Sequence, residues 1–367
     1  MDSPPVQLDV YRTAIPMRSF EHAAARREVA EAVVVRLTLA DGRCGWGETL
    51  PRHYVTGESL EGVVEDITGV LWPELCSDPS TPLTRSIDGR CLNAAACALD
   101  LARLDAGGGF AGVSGGIEAR VSGVLGSVDP ARTSRRLRLM RWYGLRDFKL
   151  KLGFGDEVDA ENLRVVCRRI GGAMRTGRCT LRVDVNGGWD ADSAPARVAE
   201  LKQCGVCAVE QPVFCTAERL AELAGRCDLP LIADESLLTR QDAMSLLAAP
   251  SRVMWNLRIS KNGGLAPTAD LARLAEEHGV AWVAGCMVGE SSILSAAQRR
   301  LLQAGLGPRF VEGNYGRLLL RGDLTRRSLR FGFAGRLRPL SGAGLGVDVS
   351  AKKLARYGRL VATLRRP

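Results

Sequence analysis

The pattern of apolar and polar positions changes character about a third of the way along the chain. Before that point VQLDVYR, near residues 7 to 12, and EAVVVRLTLADGRCGWGE, from about 30 to 50, read as strands, with an Asp41-Gly42 turn between the second strand and the next. The stretch MRSFEHAAARREV between them is polar, basic and irregular, and is expected to be a loop. ESLEGVVEDITGVLWPEL and NAAACALDLARLDA carry apolar residues three and four apart, the period of a helix. Together these make a small α+β unit over residues 1–118.

From residue 119 onward strand and helix alternate. RVSGVLGSV, FKLKLG, TLRVDVN, CAVEQP, LPLIADES, VMWNLRIS, WVAGCMVG and RFVEGN are apolar runs, and segments such as DAENLRVVCRRIGGAM, TAERLAELAG and APTADLARLAEEHG read as amphipathic helices between them. Eight strands in that rhythm over residues 119–316 predict an α/β fold built on a β/α barrel, whose chemistry gathers at the carboxyl ends of the strands. A doubly wound sheet would collect its ligands in one crevice, whereas here charged residues close strand after strand. Residues 317–367 hold RLLLRGDL, a Gly/Pro-containing stretch PLSGAGLGVDVS and a basic tail. They are too short to stand alone and are expected to return to the amino-terminal unit, completing a cap over the barrel mouth.

Composition narrows the classes of function. The chain of 367 residues is 46% hydrophobic and 25% charged, as ordinary globular proteins are, which argues against disorder and fibres. No run approaches the roughly 18 apolar residues of a membrane span, and the opening MDSPPVQLDVYRT lacks the basic and apolar regions of a signal peptide, so a cytoplasmic protein is expected. The 11 cysteines are scattered and read as reduced core residues. Cys204 and Cys207 form a CxxC, but no second pair supplies a closed zinc set. A formal charge of +9 invites a nucleic-acid reading, yet the arginines are spread over several helices and aromatics make up only 5% of the chain, so neither nucleic acid nor membrane is an expected partner. The same charge favours a small anionic substrate.

The candidate chemistry lies where the apolar runs end. Asp184, Glu210 and Asp234 close three consecutive predicted strands, 26 and 24 residues apart. Taken alone, each reads equally well as a surface or capping residue. Taken together, three hard oxygen donors suit Mg²⁺, with Mn²⁺ as a substitute. Such a cation stabilises the charge that builds on a carboxylate when the adjacent C–H bond breaks. Lys149 and Lys151 share a strand face because they lie two apart, and one ammonium beside another is expected to favour a neutral lysine able to act as a base. Lys151, at the strand tip, is the expected base, and Lys149 the tuner or a contact to the substrate carboxylate. Arg258 and Lys261 follow the sixth strand, and an arginine there is a fixed cation rather than a base. Asn186 and Glu235 flank the carboxylates and are expected to support them. Glu290 and Glu312, after strands seven and eight, either orient a basic residue, face the substrate or act as caps. The glycines of SKNGGL are explained by a tight turn as well as by a phosphate nest.

GWGETLPRHYVTGES, KLKLG, RVDVNGGW, VEQP, IADES, NLRISKNGG, GCMVGESSILSAA and GAGLGV together resemble the enolase superfamily, in its muconate-lactonising-enzyme subgroup, over essentially the whole chain. The resemblance implies a modified (β/α)7β TIM barrel with an α+β capping domain, Mg²⁺ held by Asp184, Glu210 and Asp234, and Lys151 as acid or base. It also implies that segments around Arg18 to His22 and Arg52 to Thr56, with Tyr54 among them, select the substrate, and that homo-oligomers are common in the family. One departure matters: the subgroup usually has lysine where this chain has Arg258. A racemase working on both faces of a carbon wants two bases, so the arginine favours a cycloisomerase or a dehydratase acting from one face. Racemisation or epimerisation of an amino-acid derivative, and a non-catalytic homologue retaining the metal site, are the alternatives. Val311-Glu312-Gly313 lacks the DxD pair typical of dipeptide epimerases.

Overall fold

The computed structural model describes residues 3–22, 25–109 and 115–366, with backbone alone at 20–22, 25 and 26. The chain opens on a long hairpin of β1 (Pro5–His22) and β2 (Ala25–Leu39), followed by β3 (Cys44–Thr49). The Asp41-Gly42 turn forms as predicted, Gly42 N–H donating to Leu39 O at 3.0 Å. Of the segment expected to be a loop, the described residues are instead strand, with Phe20 opposite Arg27 and Glu21 opposite Arg26. Strand pairing uses backbone groups, so a hairpin extends past its apolar core without apolar side chains.

Short helices α1 (His53–Thr56), α2 (Leu60–Asp66) and α3 (Trp72–Ser77), a small hairpin of β4 (Ser86–Ile87) and β5 (Arg90–Cys91), and helix α4 (Asn93–Ala106) complete the amino-terminal unit. A π turn at Ile67–Leu71 joins α2 to α3. Helix α4 is buried on nearly every side rather than along one stripe. It lies so close under β3 that a Cβ on Gly47 would stand 1.8 Å from Ala98 O, and one on Gly45 2.1 Å from Ala102 O.

The barrel follows as β6 (Gly123–Leu125), α5 (Pro130–Trp142), β7 (Asp147–Lys151), α6 (Asp156–Arg175), β8 (Thr180–Asp184), α7 (Ala194–Gln203), β9 (Ala208–Glu210), α8 (Ala217–Gly225), β10 (Leu231–Ala233), α9 (Arg240–Leu246), β11 (Val253–Leu257), α10 (Leu265–Glu277), β12 (Trp282–Ala284), α11 (Ser292–Gln303) and β13 (Phe310–Val311). Every predicted barrel strand is present, all parallel and in sequence order. Ser122 N–H donates to Val311 O at 2.7 Å and Val121 bridges Val311, which closes the sheet on itself. After β13 no eighth helix follows. The chain runs irregularly to α12 (Ala351–Tyr357) and then β14 (Gly358–Arg365), which pairs antiparallel with β1 in a sheet ordered β14-β1-β2-β3. Among the described residues no helix is long and apolar enough to cross a membrane.

Buried acids cap helices from elsewhere in the chain, one within the cap and two between cap and barrel. Glu58 accepts from Ala94 and Ala95 N–H of α4, and Asp100 of α4 accepts from Leu265 and Ala266 N–H of α10. Glu48 of β3 accepts from Ser291 and Leu294 N–H of α11. The first turn of a helix leaves N–H groups unpaired and carries partial positive charge, so a buried carboxylate there satisfies both demands.

Candidate active site

Parallel register decides which side chains share the barrel interior. Lys149 lies beside Arg182, Lys151 beside Asp184, and Asp184 beside Glu210. Alternation along each strand then sends Phe148 and Leu150 outward and both lysines inward. Ala208, Ile232, Met254, Val283 and Phe310 form an apolar floor. Asp184, Glu210 and Asp234 stand at the strand ends, fully buried.

Each carboxylate has cationic neighbours. Lys149 Nζ donates to Glu210 Oε1 at 3.0 Å, lies 2.7 Å from Glu312 Oε2 and 3.4 Å from Asp184 Oδ2. Lys151 Nζ donates to Asp184 Oδ2 and Asn186 Oδ1, both at 2.9 Å. Arg258 Nη2 binds Asp234 Oδ2 and lies 3.5 Å from Glu210 Oε1, to which Asn256 Nδ2 also donates at 2.9 Å. Lys261, fully buried, donates to Asp234 O and Asn256 O at 2.7 Å and to Asp234 Oδ1 at 3.2 Å.

These contacts revise the expected role of Lys149. Burial disfavours its ammonium, but Glu210, Glu312 and Asp184 outweigh burial and push its pKa up, so Lys149 is a fixed cation. Glu312 responds in the opposite sense: burial opposes its charge, yet Lys149 and Arg182 hold it down at about 2. Burial, followed by the neighbouring Arg258, presses Lys261 well below the usual lysine range.

Glu312 is therefore an inward partner of Lys149 and of Arg182, whose Nη1 donates to Glu312 Oε1 at 2.9 Å, and not a surface or capping acid. Asn186 sits between Lys151 and Glu235, its Nδ2 donating to Glu235 Oε1 at 3.4 Å. Arg18 lies on the β1 strand rather than in a loop, and the side chain of His22 lies outside the described residues. Arg52 is buried and donates to Glu31 O, Pro51 O and Val288 O, which makes it a clamp on backbone. Tyr54, half-buried in α1, carries the Arg27 guanidinium over its ring at 5.9 Å. All 11 cysteines are free thiols.

Three supporting residues escaped the sequence reading. Arg182 packs over the Phe310 ring at 4.2 Å, and the signal for it was its place two residues before Asp184 on one strand. Asn256 bears a comparable relation to Arg258. Gln211 holds Asp234 by accepting from its N–H at 2.9 Å, and nothing in its local sequence announces that.

Lys149, Lys151, Arg258, Glu290 and Glu312 line one cavity of about 60 Å³ with Val124, Cys286, Met287, Val288, Leu319 and Leu320. Among the described residues no three carboxylate, imidazole or thiol groups stand as an assembled cation cage. The donor chemistry nevertheless fits a hard divalent cation: three buried carboxylates end neighbouring strands, linked in pairs through Lys149 and Arg258, cations that such an ion would displace or join.

A family described as Enolase C-terminal domain-like matches residues 132–353. The L-Ala-D/L-Glu epimerase of Bacillus subtilis is 26% identical over 317 residues, covering 80% of this chain and 83% of its own. Among solved structures, N-succinyl Arg/Lys racemase from Bacillus cereus superposes with a TM-score of 0.85 at 24% identity, over 99% of this chain and 100% of that one. Muconate lactonizing enzyme from Pseudomonas fluorescens, complexed with muconolactone, superposes at 0.82 with 25% identity, over 98% and 100%.

Proposed function

Because the chain belongs to the enolase superfamily, we propose that it enolises a small carboxylate substrate with Lys151 as the base, and completes a cycloisomerisation or an elimination from that one face. The observation that supports the reading is that Asp184, Glu210 and Asp234 stand buried at the ends of three neighbouring strands, with Lys151 on Asp184 and lining the adjacent cavity. Those carboxylates would hold Mg²⁺, or Mn²⁺ in its place, which when bound supplies stabilisation of the negative charge on the substrate carboxylate.

The remaining work falls to side chains. Lys151 Nζ, between Asp184 and Asn186, takes the α-proton and holds it for return. Lys149 stays charged and balances Glu210 and Glu312. Arg258 holds Asp234 and presents a planar guanidinium charge across from Lys151. The apolar wall of Met287, Val288, Leu319 and Leu320 keeps water from the enolate.

Racemisation is the second reading, supported by the racemases and epimerases among the relatives. NMR in D₂O with Mg²⁺, over muconates, hydroxy acids, N-acyl amino acids and dipeptides, separates the two. Deuterium uptake with product and no inversion supports the one-face reading. Inversion at the α-carbon replaces it with racemisation, and Lys151→Ala with undiminished exchange would sink both.

A further inference from the structure

We propose that Cys167 and Cys204 are a thiol pair that a hydroperoxide closes to a disulfide, tying helix α6 to the end of helix α7.

The local backbone first separates Cys204 from Cys207, its companion in the CxxC spacing. Cys204 ends α7, where Val206 N–H donates to Leu201 O at 3.1 Å and Gly205 N–H to Lys202 O at 2.9 Å. Gly205 takes a φ of +82°, the left-handed turn that reverses a chain after a helix. Cys207 then leads into β9, its N–H on Leu181 O of β8 at 2.9 Å and its side chain packed against the apolar floor of the barrel. Cys204 stays exposed on the helical layer. The turn therefore sends the two thiols to different places, and the spacing alone does not pair them.

The partner comes from α6 instead. Cys167, half-buried, donates from Sγ to Cys204 O at 3.6 Å, so the backbones of the two residues lie one thiol apart. The thiols also act on each other. Burial first, then the charge of the Cys204 thiol and a side-chain hydrogen bond with it, push Cys167 up to about 11. Closing the bond asks for rotation of two side chains and no movement of either helix.

Exposure sets the order of events. Cys204 lines a surface cavity of about 470 Å³ with Leu163, Arg197, Glu200 and Leu201, and so meets an oxidant first. Cys167, more buried, is the thiol that resolves. With hydrogen peroxide, Cys204 sulfur attacks one oxygen, the O–O bond breaks, and the departing hydroxide leaves as water with the thiol proton. Cys167 sulfur then displaces the hydroxyl of the sulfenic acid, which takes the Cys167 proton and leaves as the second water. Two thiols lose two electrons and two protons, and the peroxide gains both. The S–S bond closes a loop spanning 37 positions, with β8 and its Asp184 inside it. Such a loop restricts the unfolded chain more than the folded one.

The experiment treats the full chain with hydrogen peroxide, blocks the remaining thiols and maps unreduced peptides by mass spectrometry. The expected result is a Cys167–Cys204 linked peptide, also formed by Cys207→Ser, and loss of two hydrogens from the intact chain that a dithiol restores. The denaturant midpoint is expected to rise on oxidation and to fall back on reduction, and Cys167→Ser to stop at a Cys204 sulfenic acid that dimedone traps. A Cys204–Cys207 bond, a bond between two chains through Cys204, or Cys204 carried on to the sulfinic acid beside a free Cys167 would each overturn the pairing. A Cys167–Cys204 bond that leaves the midpoint in place would overturn the tie between the helices. The wild-type map decides the pairing whether or not either variant folds.

Discussion

At the scale of single residues, the site is a set of inward charges whose roles depend on neighbours more than on type. Lys149 and Lys151 are chemically alike and two residues apart, yet Lys149 is ringed by three carboxylates and Lys151 touches only Asp184 among them. Lys151→Ala is expected to cut turnover and α-proton exchange together, by about 10² to 10⁴. Matching losses in D₂O exchange and product formation check this, and exchange that survives would exclude Lys151 as base. Arg258→Lys introduces a titratable group on the second face. The expected outcome is inversion at the α-carbon faster than in wild type, read by chiral chromatography, and no gain in inversion would mean that Arg258 is not placed against the substrate carbon. Asp234→Asn is expected to weaken Mg²⁺ binding at least tenfold by calorimetry, and an unchanged affinity would remove Asp234 from the ligand set.

At the scale of elements, the joints between cap and barrel carry the load. Gly47→Ala would drive a methyl into Ala98 O of α4, so a loss of about 1 to 3 kcal/mol or more is expected in denaturant unfolding. A neutral result would mean that β3 and α4 separate easily. Glu48 sets a pH dependence at the α11 joint. Burial raises its carboxyl to about 7 in the folded chain, from about 4.5, so the folded state keeps a proton that the unfolded state loses. Its contribution is full below about 4.5 and is lost as pH rises to about 7. Glu48→Gln should therefore lose less stability than wild type between those limits, and parallel unfolding midpoints across the range would refute the assignment. The elements were largely legible beforehand. Barrel strands announced themselves as apolar runs ended by charge, because a strand buried on both faces needs apolar side chains whichever way they point. The β1–β2 hairpin beyond Pro16 did not, because it is held by backbone pairing with polar side chains along it.

At the scale of the whole molecule, the last strand closes a circuit begun by the first. β14 pairs with β1, and Thr363 Oγ1 donates to Asp9 Oδ1 at 2.8 Å. Without residues 358–367, β1 is left as an open edge, and self-association is expected, measurable by light scattering. What the sequence by itself determined is local: which segments are strand or helix, and which of Asp184, Glu210, Asp234, Lys149 and Lys151 face inward, since both follow from a period of a few residues. Only the tertiary structure decided who neutralises whom. Glu312 reaches Lys149 because the barrel closes between β13 and β6, Arg258 turns onto Asp234 because β10 and β11 are neighbours, and Glu290 lines the cavity because the cap holds its turn. Those partners lie far apart along the chain, and electrostatic pairing falls off with distance in space, which no local pattern encodes.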